Sequence, residues 1–468
     1  MELLFLYLNA TINSPCFRMA FFVISTKDGN DMDAKRYIAK IFLGGMLMGA
    51  AAGSSAAVYY MTPNGDDASN GSKNSPWKTI DRAQKTLNAG DRLWVRGGKY
   101  VFTKGLNVCA TRTDVVNAIT LSKSGTEGKR IEYWASSGEV PIFDFSQMQD
   151  DCRVKGFNVV ADWVSVKGLE ITGVPQRNNL NHESWGVWNR GSNNIFEQLN
   201  IHHIMGTGLF IQRGGNNLVL NSDSHHNYDP LTSNGAGQSG DGFGAHIPAN
   251  QPGNIFRGCR AWSNSDDGFD LINAYSPVLI ENSWAWSHGY LPGTTQSLAA
   301  GNGNGFKIGG YGGVYVANAV KHTVRNSVAF LNKAAGFYAN HHPVANDFFN
   351  NTGYKNNPNF AIRGIDANGK AIGLGTLRNN VSHGGKDLSF SDGANMRYNS
   401  WDLKIVVSDA DFESVSVTGW DAPRQADGSL PVLKSLHLAS GSALINKGGD
   451  VKLPYKGSAP DLGAFERE

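Results

Sequence analysis

Along the middle of the chain an apolar residue recurs in one setting: a variable residue follows, then usually Asn, then a small residue, with an aromatic ring soon after. Copies begin at Phe196, Val219, Phe256, Ile280, Val324 and Phe348, and typical ones read Val219-Leu220-Asn221-Ser222 and Ile280-Glu281-Asn282-Ser283. Successive leading residues are 23, 37, 24, 44 and 24 apart, so the minimal unit is 23 or 24 with two insertions. That period fits one coil of a parallel β solenoid, in which a strand too short to bury itself shares a continuous core with its copies. The expected class is all-β, with one domain over residues 58–468.

Two further columns keep the same register. Asn227, Asn264, Asn332 and Asn356 lie eight positions past the leading residue, as stacked amides satisfying a turn, and His288 breaks this column. His225, Trp262, Trp286, Phe330 and Tyr354 lie six positions past it and form a column of rings. Both columns read as scaffold. A second element follows each turn: Asp241-Gly242-Phe243, Asp267-Gly268-Phe269, Asn304-Gly305-Phe306 and Ala335-Gly336-Phe337. Gly permits a bend there and the ring after it points inward, so Gly244, Asp270, Lys307 and Tyr338 point outward. The insertions, residues 228–240 and 289–303, both enter just before this element. They are expected to project from one side and wall a groove.

Composition narrows the class. The chain has 56 Gly, 41% hydrophobic and 18% charged residues, and a formal charge of only +2. With no basic run there is no electrostatic footprint for nucleic acid. Lys35, Arg36 and Lys40 precede an apolar run over residues 41–52 and then small residues to Ala57, the pattern of a signal peptide over residues 32–57. Residues 1–31 then read as an upstream extension, with an anchored form through the apolar stretch at 19–24 as the alternative. A secreted monomer without stable membrane association is expected. In an oxidising compartment Cys109 and Cys152 can pair, while Cys259 sits at an inward repeat position.

The register also concentrates charge. Adjacent coils lie ~4.8 Å apart, which stacks Asp241 on Asp267, sets Asp270 one coil from Lys307, and leaves Asp266 beside them. Taken alone, Ser265-Asp266-Asp267-Gly268 is an ordinary acidic turn. Four carboxylates held this close repel one another unless a cation binds them, and flexible all-oxygen ligation suits Ca²⁺. In a uronic acid the C5 proton is hard to remove because abstraction adds charge beside a carboxylate; a bound cation offsets that charge. Lys307 is the candidate base, in its neutral form. The expected reaction is β-elimination on an acidic polysaccharide.

These segments resemble the family 9 polysaccharide lyases, the pectate lyase type of right-handed parallel β-helix. Gly240-Asp241-Gly242-Phe243, Asn264 to Leu271, and Asn304-Gly305-Phe306-Lys307-Ile308-Gly309-Gly310 carry the resemblance. It implies that Asp241, Asp266, Asp267 and Asp270 bind Ca²⁺ and that Lys307 is the Brønsted base. It also implies a capping helix from Ile80 to Leu87, an opening segment around Tyr59 to Gly65, and a closing segment from Ala459 to Glu466. Where members that cleave pectate often carry lysines, this chain has His246 and Asn273-Ala274-Tyr275. Fewer groove cations argue for a substrate with fewer or differently placed carboxylates than polygalacturonate. His246, Tyr275, Trp284 and Tyr338 are candidate substrate contacts, and His288, His341 and His342 fit turn or surface roles better. The alternatives are a β-helix glycoside hydrolase, which needs two carboxylates but has no part for Lys307, and a noncatalytic carbohydrate-binding solenoid.

Overall fold

Each repeat unit folds as one coil of short strands, and successive coils pair in parallel to build three sheets. This is a computed structural model, describing residues 56–111, 114–177 and 183–467. The expected upstream extension and the signal peptide as far as residue 55 lie outside the described residues. In the first sheet Phe196 pairs with Val219, and Val219, Phe256, Ile280, Val324 and Phe348 follow one another rung by rung. All six are fully buried. A slip of one residue would turn every one of them to water, which fixes the register.

The Asn that follows turns the chain into the third sheet. Asn221, Asn282, Asn326 and Asn350 have φ of 49–50°, and Gly258 takes the same place at 64°. Asn tolerates this left-handed conformation better than other side chains, which is why the repeat specifies it. The eight-position column is a ladder: the Asn227 N–H donates to Asn264 Oδ1 (3.1 Å), Asn264 to His288 Nδ1 (3.3 Å), His288 to Asn332 Oδ1 (3.2 Å) and Asn332 to Asn356 Oδ1 (3.1 Å). His288 therefore continues the column it was expected to break, its ring nitrogen standing where an amide oxygen otherwise sits.

The glycines of the second element do not serve a left-handed bend. A Cβ on Gly268 would lie 2.5 Å from the Gly305 carbonyl, and one on Gly305 would lie 2.7 Å from that of Gly336. Close approach of one coil to the next excludes a side chain. Beside them Phe243, Phe269, Phe306 and Phe337 stack inside the coil at centroid distances of 4.9–5.0 Å.

The ring column pairs as expected, from His225 to Tyr354, but on the outside of the coil. Ala261, Ala285 and Ala329 fill the inward positions between the rings. The outer rings are covered by the C-terminal segment, whose Trp420 packs 4.4 Å from Trp284 and 4.7 Å from Phe330. Arg260 and Arg424, both paired with Asp223 at 2.6 Å, tie the two layers together. The closing segment docks through Ala464, whose N–H donates to Thr352 Oγ1 (3.0 Å), and the fully buried Leu462.

At the other end the helix Ile80–Thr86, capped by Thr79, sets Ile80 and Ala83 into the core. Cys109 and Cys152 form a disulfide across Cα positions 6.2 Å apart, and Cys259 is a buried free thiol. The insertions at 228–240 and 289–303 lie side by side, with Gly237 against Leu298. A third interruption was not foreseen: Arg363–Ile365 and Ala371–Gly373 form an antiparallel hairpin.

Replacing Asn332 by Ala strands the His288 N–H and the Ala285 carbonyl it serves. Each buried orphan costs about 1–3 kcal/mol, so the thermal unfolding midpoint should fall by several degrees with the coil count unchanged by circular dichroism. His288 is held neutral by burial, its pKa pushed down from 6.5 to about 3. The unfolded chain takes up that proton and the folded one does not, so stability present above pH 6.5 is lost as the pH falls toward 3, by about 1.4 kcal/mol per unit. His288→Asn restores the ladder residue without the titration. Its melting temperature should exceed that of the parent at pH 4.5 by more than at pH 7.5.

Candidate functional site

The outward column of the second sheet places the chemistry. Gly244 pairs with Asp270, Asp270 with Lys307 and Lys307 with Tyr338, one coil apart each time. Two residues ahead of the inward phenylalanines, Asp241 and Asp267 meet in the same way, the Asp267 N–H donating to Asp241 Oδ1 (3.1 Å). Lys307 Nζ lies 2.9 Å from Asp270 Oδ2 and 3.0 Å from Asp267 Oδ2. Oxygens of Asp241, Asp267 and Asp270 all fall within 4.8 Å of one another. Asp266 stands to the side of this trio, its Oδ1 accepting from the Asn302 N–H in the second insertion (2.6 Å).

Neighbouring groups orient the cluster. Asp267 Oδ1 accepts from both the backbone N–H (2.8 Å) and the side-chain amide (2.9 Å) of Asn304. Thr207 Oγ1, one coil before Asp241, donates to Asp241 Oδ2 (3.3 Å). From the sequence, Asn304 is placed only in the recurring element that leads to Lys307. Its position in the same column as Asp241 and Asp267 was the available signal for an orienting role.

The electrostatics are unbalanced. All four aspartates and Lys307 are buried, so four carboxylates face a single ammonium. Burial raises the pKa of Asp241 and Asp266 well above the usual carboxylate range, and the neighbouring aspartates add to it. Asp267 is raised by burial as well, Lys307 opposing. Burial works against the Lys307 ammonium, but Asp267, Asp270, Asp266 and Asp241 together hold it well above the ordinary lysine value. Asp267 Oδ2 is buried with the Lys307 ion pair beside it and no hydrogen bond of good geometry. Hard oxygen donors, converging and short of positive charge, fit a divalent cation of the calcium type.

The other candidates separate. Tyr338, half-buried beside Lys307, places its hydroxyl 3.1 Å from His341 Nδ1. His246 leaves Gly244 by two residues, lies edge-on to Phe210 at 4.6 Å, and keeps Nε2 buried and unpartnered; burial pushes its pKa down to about 4. Tyr275 is half-buried against Tyr311, 4.7 Å between centroids. Trp284 is not brought to the cluster: it belongs to the third sheet, is 3% exposed, and packs beneath Trp420. The C-terminal cover that buries it carries no repeat from which this could be read. His342 is structural, accepting from the Gly310 N–H (2.9 Å), with Nε2 2.7 Å from the Val320 carbonyl.

Comparison with known proteins agrees with this geometry. Residues 59–380 match the family model described as Pel9A-like, right-handed β-helix region. Pectate lyase L of Dickeya chrysanthemi is 39% identical over 422 residues, covering 88% of this chain and 91% of the relative. Pectate lyase L of Paenibacillus polymyxa is 32% identical and covers 83% of each chain. Among solved structures, a rhamnogalacturonan lyase superposes with a TM-score of 0.77 at 33% identity, over 82% of this chain and 97% of that one. Pectate lyase Pel9A superposes with a TM-score of 0.74 at 38% identity, over 89% and 97%. The right-handed solenoid, the matched coils that carry the aspartates and Lys307, and the coverage of these relatives together establish that the chain belongs to the Pel9A-like family 9 polysaccharide lyases.

Proposed function

We propose that this polysaccharide lyase is a secreted, Ca²⁺-dependent enzyme that cleaves pectate or a related uronic-acid polysaccharide by β-elimination, with Lys307 as the base. The observation that carries the proposal is the Lys307 amine, 2.9 and 3.0 Å from two aspartates of an otherwise uncompensated buried cluster. Pectate lyases and a rhamnogalacturonan lyase among its relatives support a pectic substrate. The Cys109–Cys152 disulfide supports an oxidising compartment.

Asp241, Asp266, Asp267 and Asp270 are the residues that would hold the ion, with Asp266 the peripheral one. Calcium bound there supplies positive charge to offset what develops on the uronate carboxylate as its α-proton leaves. Lys307 acts as a base only when neutral, so its ion pairs with Asp267 and Asp270 must loosen in the loaded site. The amine then takes the C5 proton, the electron pair forms the C4–C5 double bond, and the C4–O bond breaks. The departing oxygen takes a proton from solvent water, Lys307 gives the C5 proton back to solvent, and the new chain end is an unsaturated uronate. Tyr338 and His246, beside the column, and Tyr275, against Tyr311, serve as substrate contacts.

Lys307→Ala should lower kcat/KM by about 10²–10⁴-fold, read as ultraviolet absorbance of unsaturated product from polygalacturonate in Ca²⁺ buffer, and a chelator should silence the parent enzyme. Turnover persisting in either case would exclude this assignment of base or metal. Asp241→Asn removes one buried charge from a repelling set. Its melting temperature in chelator should therefore be higher than the parent's, while the rise on adding Ca²⁺ should largely disappear.

A further inference from the structure

Several cations on the coils are matched by acids. Arg257 and Arg325 both pair with Glu281 at 2.5 Å, and Arg260 and Arg424 share Asp223. Arg363 is different: its Nε is buried and without a hydrogen-bond partner, and among the described residues its side chain meets a ring rather than a carboxylate. That ring is Phe390, 4.9 Å from the guanidinium and 48% exposed. A buried donor left unmade costs about 1–3 kcal/mol, and it is the kind of group a ligand satisfies.

Its placement ties it to the groove. Lys307 pairs with Tyr338, and Tyr338 with Ala361. Ile362 is core, so alternation returns Arg363 to the outward face that bears Lys307. Two coils separate Ala361 from Lys307, about 10 Å, which suits a neighbouring sugar rather than the ring at Lys307. The backbone there is fixed: the His341 N–H donates to the Arg363 carbonyl (2.7 Å), His342 bridges to Gly364, and the Leu374 N–H donates to the Ile362 carbonyl (2.9 Å). The His341 ring in turn meets the Tyr338 hydroxyl. Burial raises the Tyr338 pKa, while the positive charges of Arg363 and Lys307 oppose that rise, so the three groups share one electrostatic neighbourhood.

We propose that Arg363, with the exposed Phe390 ring and the Tyr338 hydroxyl, forms a carboxylate-binding subsite for the acidic sugar adjacent to the one cleaved, a proposal that rests on the lyase chemistry above. The planar guanidinium matches a carboxylate through two parallel N–H bonds, and the ring accepts the apolar face of a sugar. The site supplies positive charge on the far side of Lys307, whereas the near side carries His246 and Asn273. The hairpin that interrupts the repeat at Arg363–Ile365 exists, on this account, to hold that charge over the groove.

The test is equilibrium binding of a short oligogalacturonate and of its methyl ester, by calorimetry in Ca²⁺, to Lys307→Ala protein with Arg363 intact, Arg363→Ala or Arg363→Lys. Arg363→Ala should weaken the acid about tenfold or more and leave the ester within twofold, and Arg363→Lys should fall between. Equal losses for acid and ester, no loss in either, or no binding of the acid by the Arg363-intact protein would overturn the subsite. Arg363→Lys retains the charge and the stem, so a folding defect confined to the Ala variant does not decide the outcome. Turnover by Lys307→Ala, measured in parallel, would sink the chemistry at Lys307 and leaves this binding comparison standing on its own.

Discussion

Everything at the site follows from the spacing of parallel coils. Strands ~4.8 Å apart bring the same position of successive repeats into contact, so an Asp repeated in register becomes a stack of carboxylates. Asp241 on Asp267, and Asp270 on Lys307, are consequences of that rule. Elsewhere the rule produces neutral ladders, with Asn on Asn and Phe on Phe. In the second sheet it stacks buried acids, and there it leaves four of them with one amine. Such an arrangement is unfavourable for an isolated protein and useful to one that recruits a cation.

The scaffold has the rigidity this requires. The ladder through Asn227, Asn264, His288, Asn332 and Asn356 runs beside the coils that present Asp241, Asp267 and Lys307, and each of its members is buried. Phenylalanines 243, 269, 306 and 337 stack directly under the reactive positions. A shift in any one coil would therefore break both a hydrogen-bond ladder and a ring stack. Positioning within a fraction of an ångström is what proton abstraction needs.

A different class of element interrupts the coils. The insertions at 228–240 and 289–303 and the hairpin at Arg363–Ile365 depart from the repeat, and their residues are free of the stacking rule. Asn302 from one insertion orients Asp266, and Arg363 from the hairpin keeps its Nε without a hydrogen bond and its side chain against a ring among the described residues. The coils carry the aspartates and Lys307, while the departures from them contribute Asn302 and Arg363. Structures named for pectate lyase and for rhamnogalacturonan lyase share the solenoid.

The repeat alone determined the parallel solenoid, the inward residues from Phe196 to Phe348, and the meeting of Asp241, Asp267, Asp270 and Lys307, because stacking at fixed spacing turns sequence period directly into contact. The long-range layers were decided by tertiary structure. Trp284 and the ring column gave no sign of lying outside the coil, since what buries them is a C-terminal segment with no period of its own. His288 looked like a break because an imidazole nitrogen and an amide oxygen are unlike as letters but equivalent as acceptors. The glycines before each phenylalanine looked like bends, and the reason for them is the carbonyl of the next coil, an atom that only the folded chain brings near.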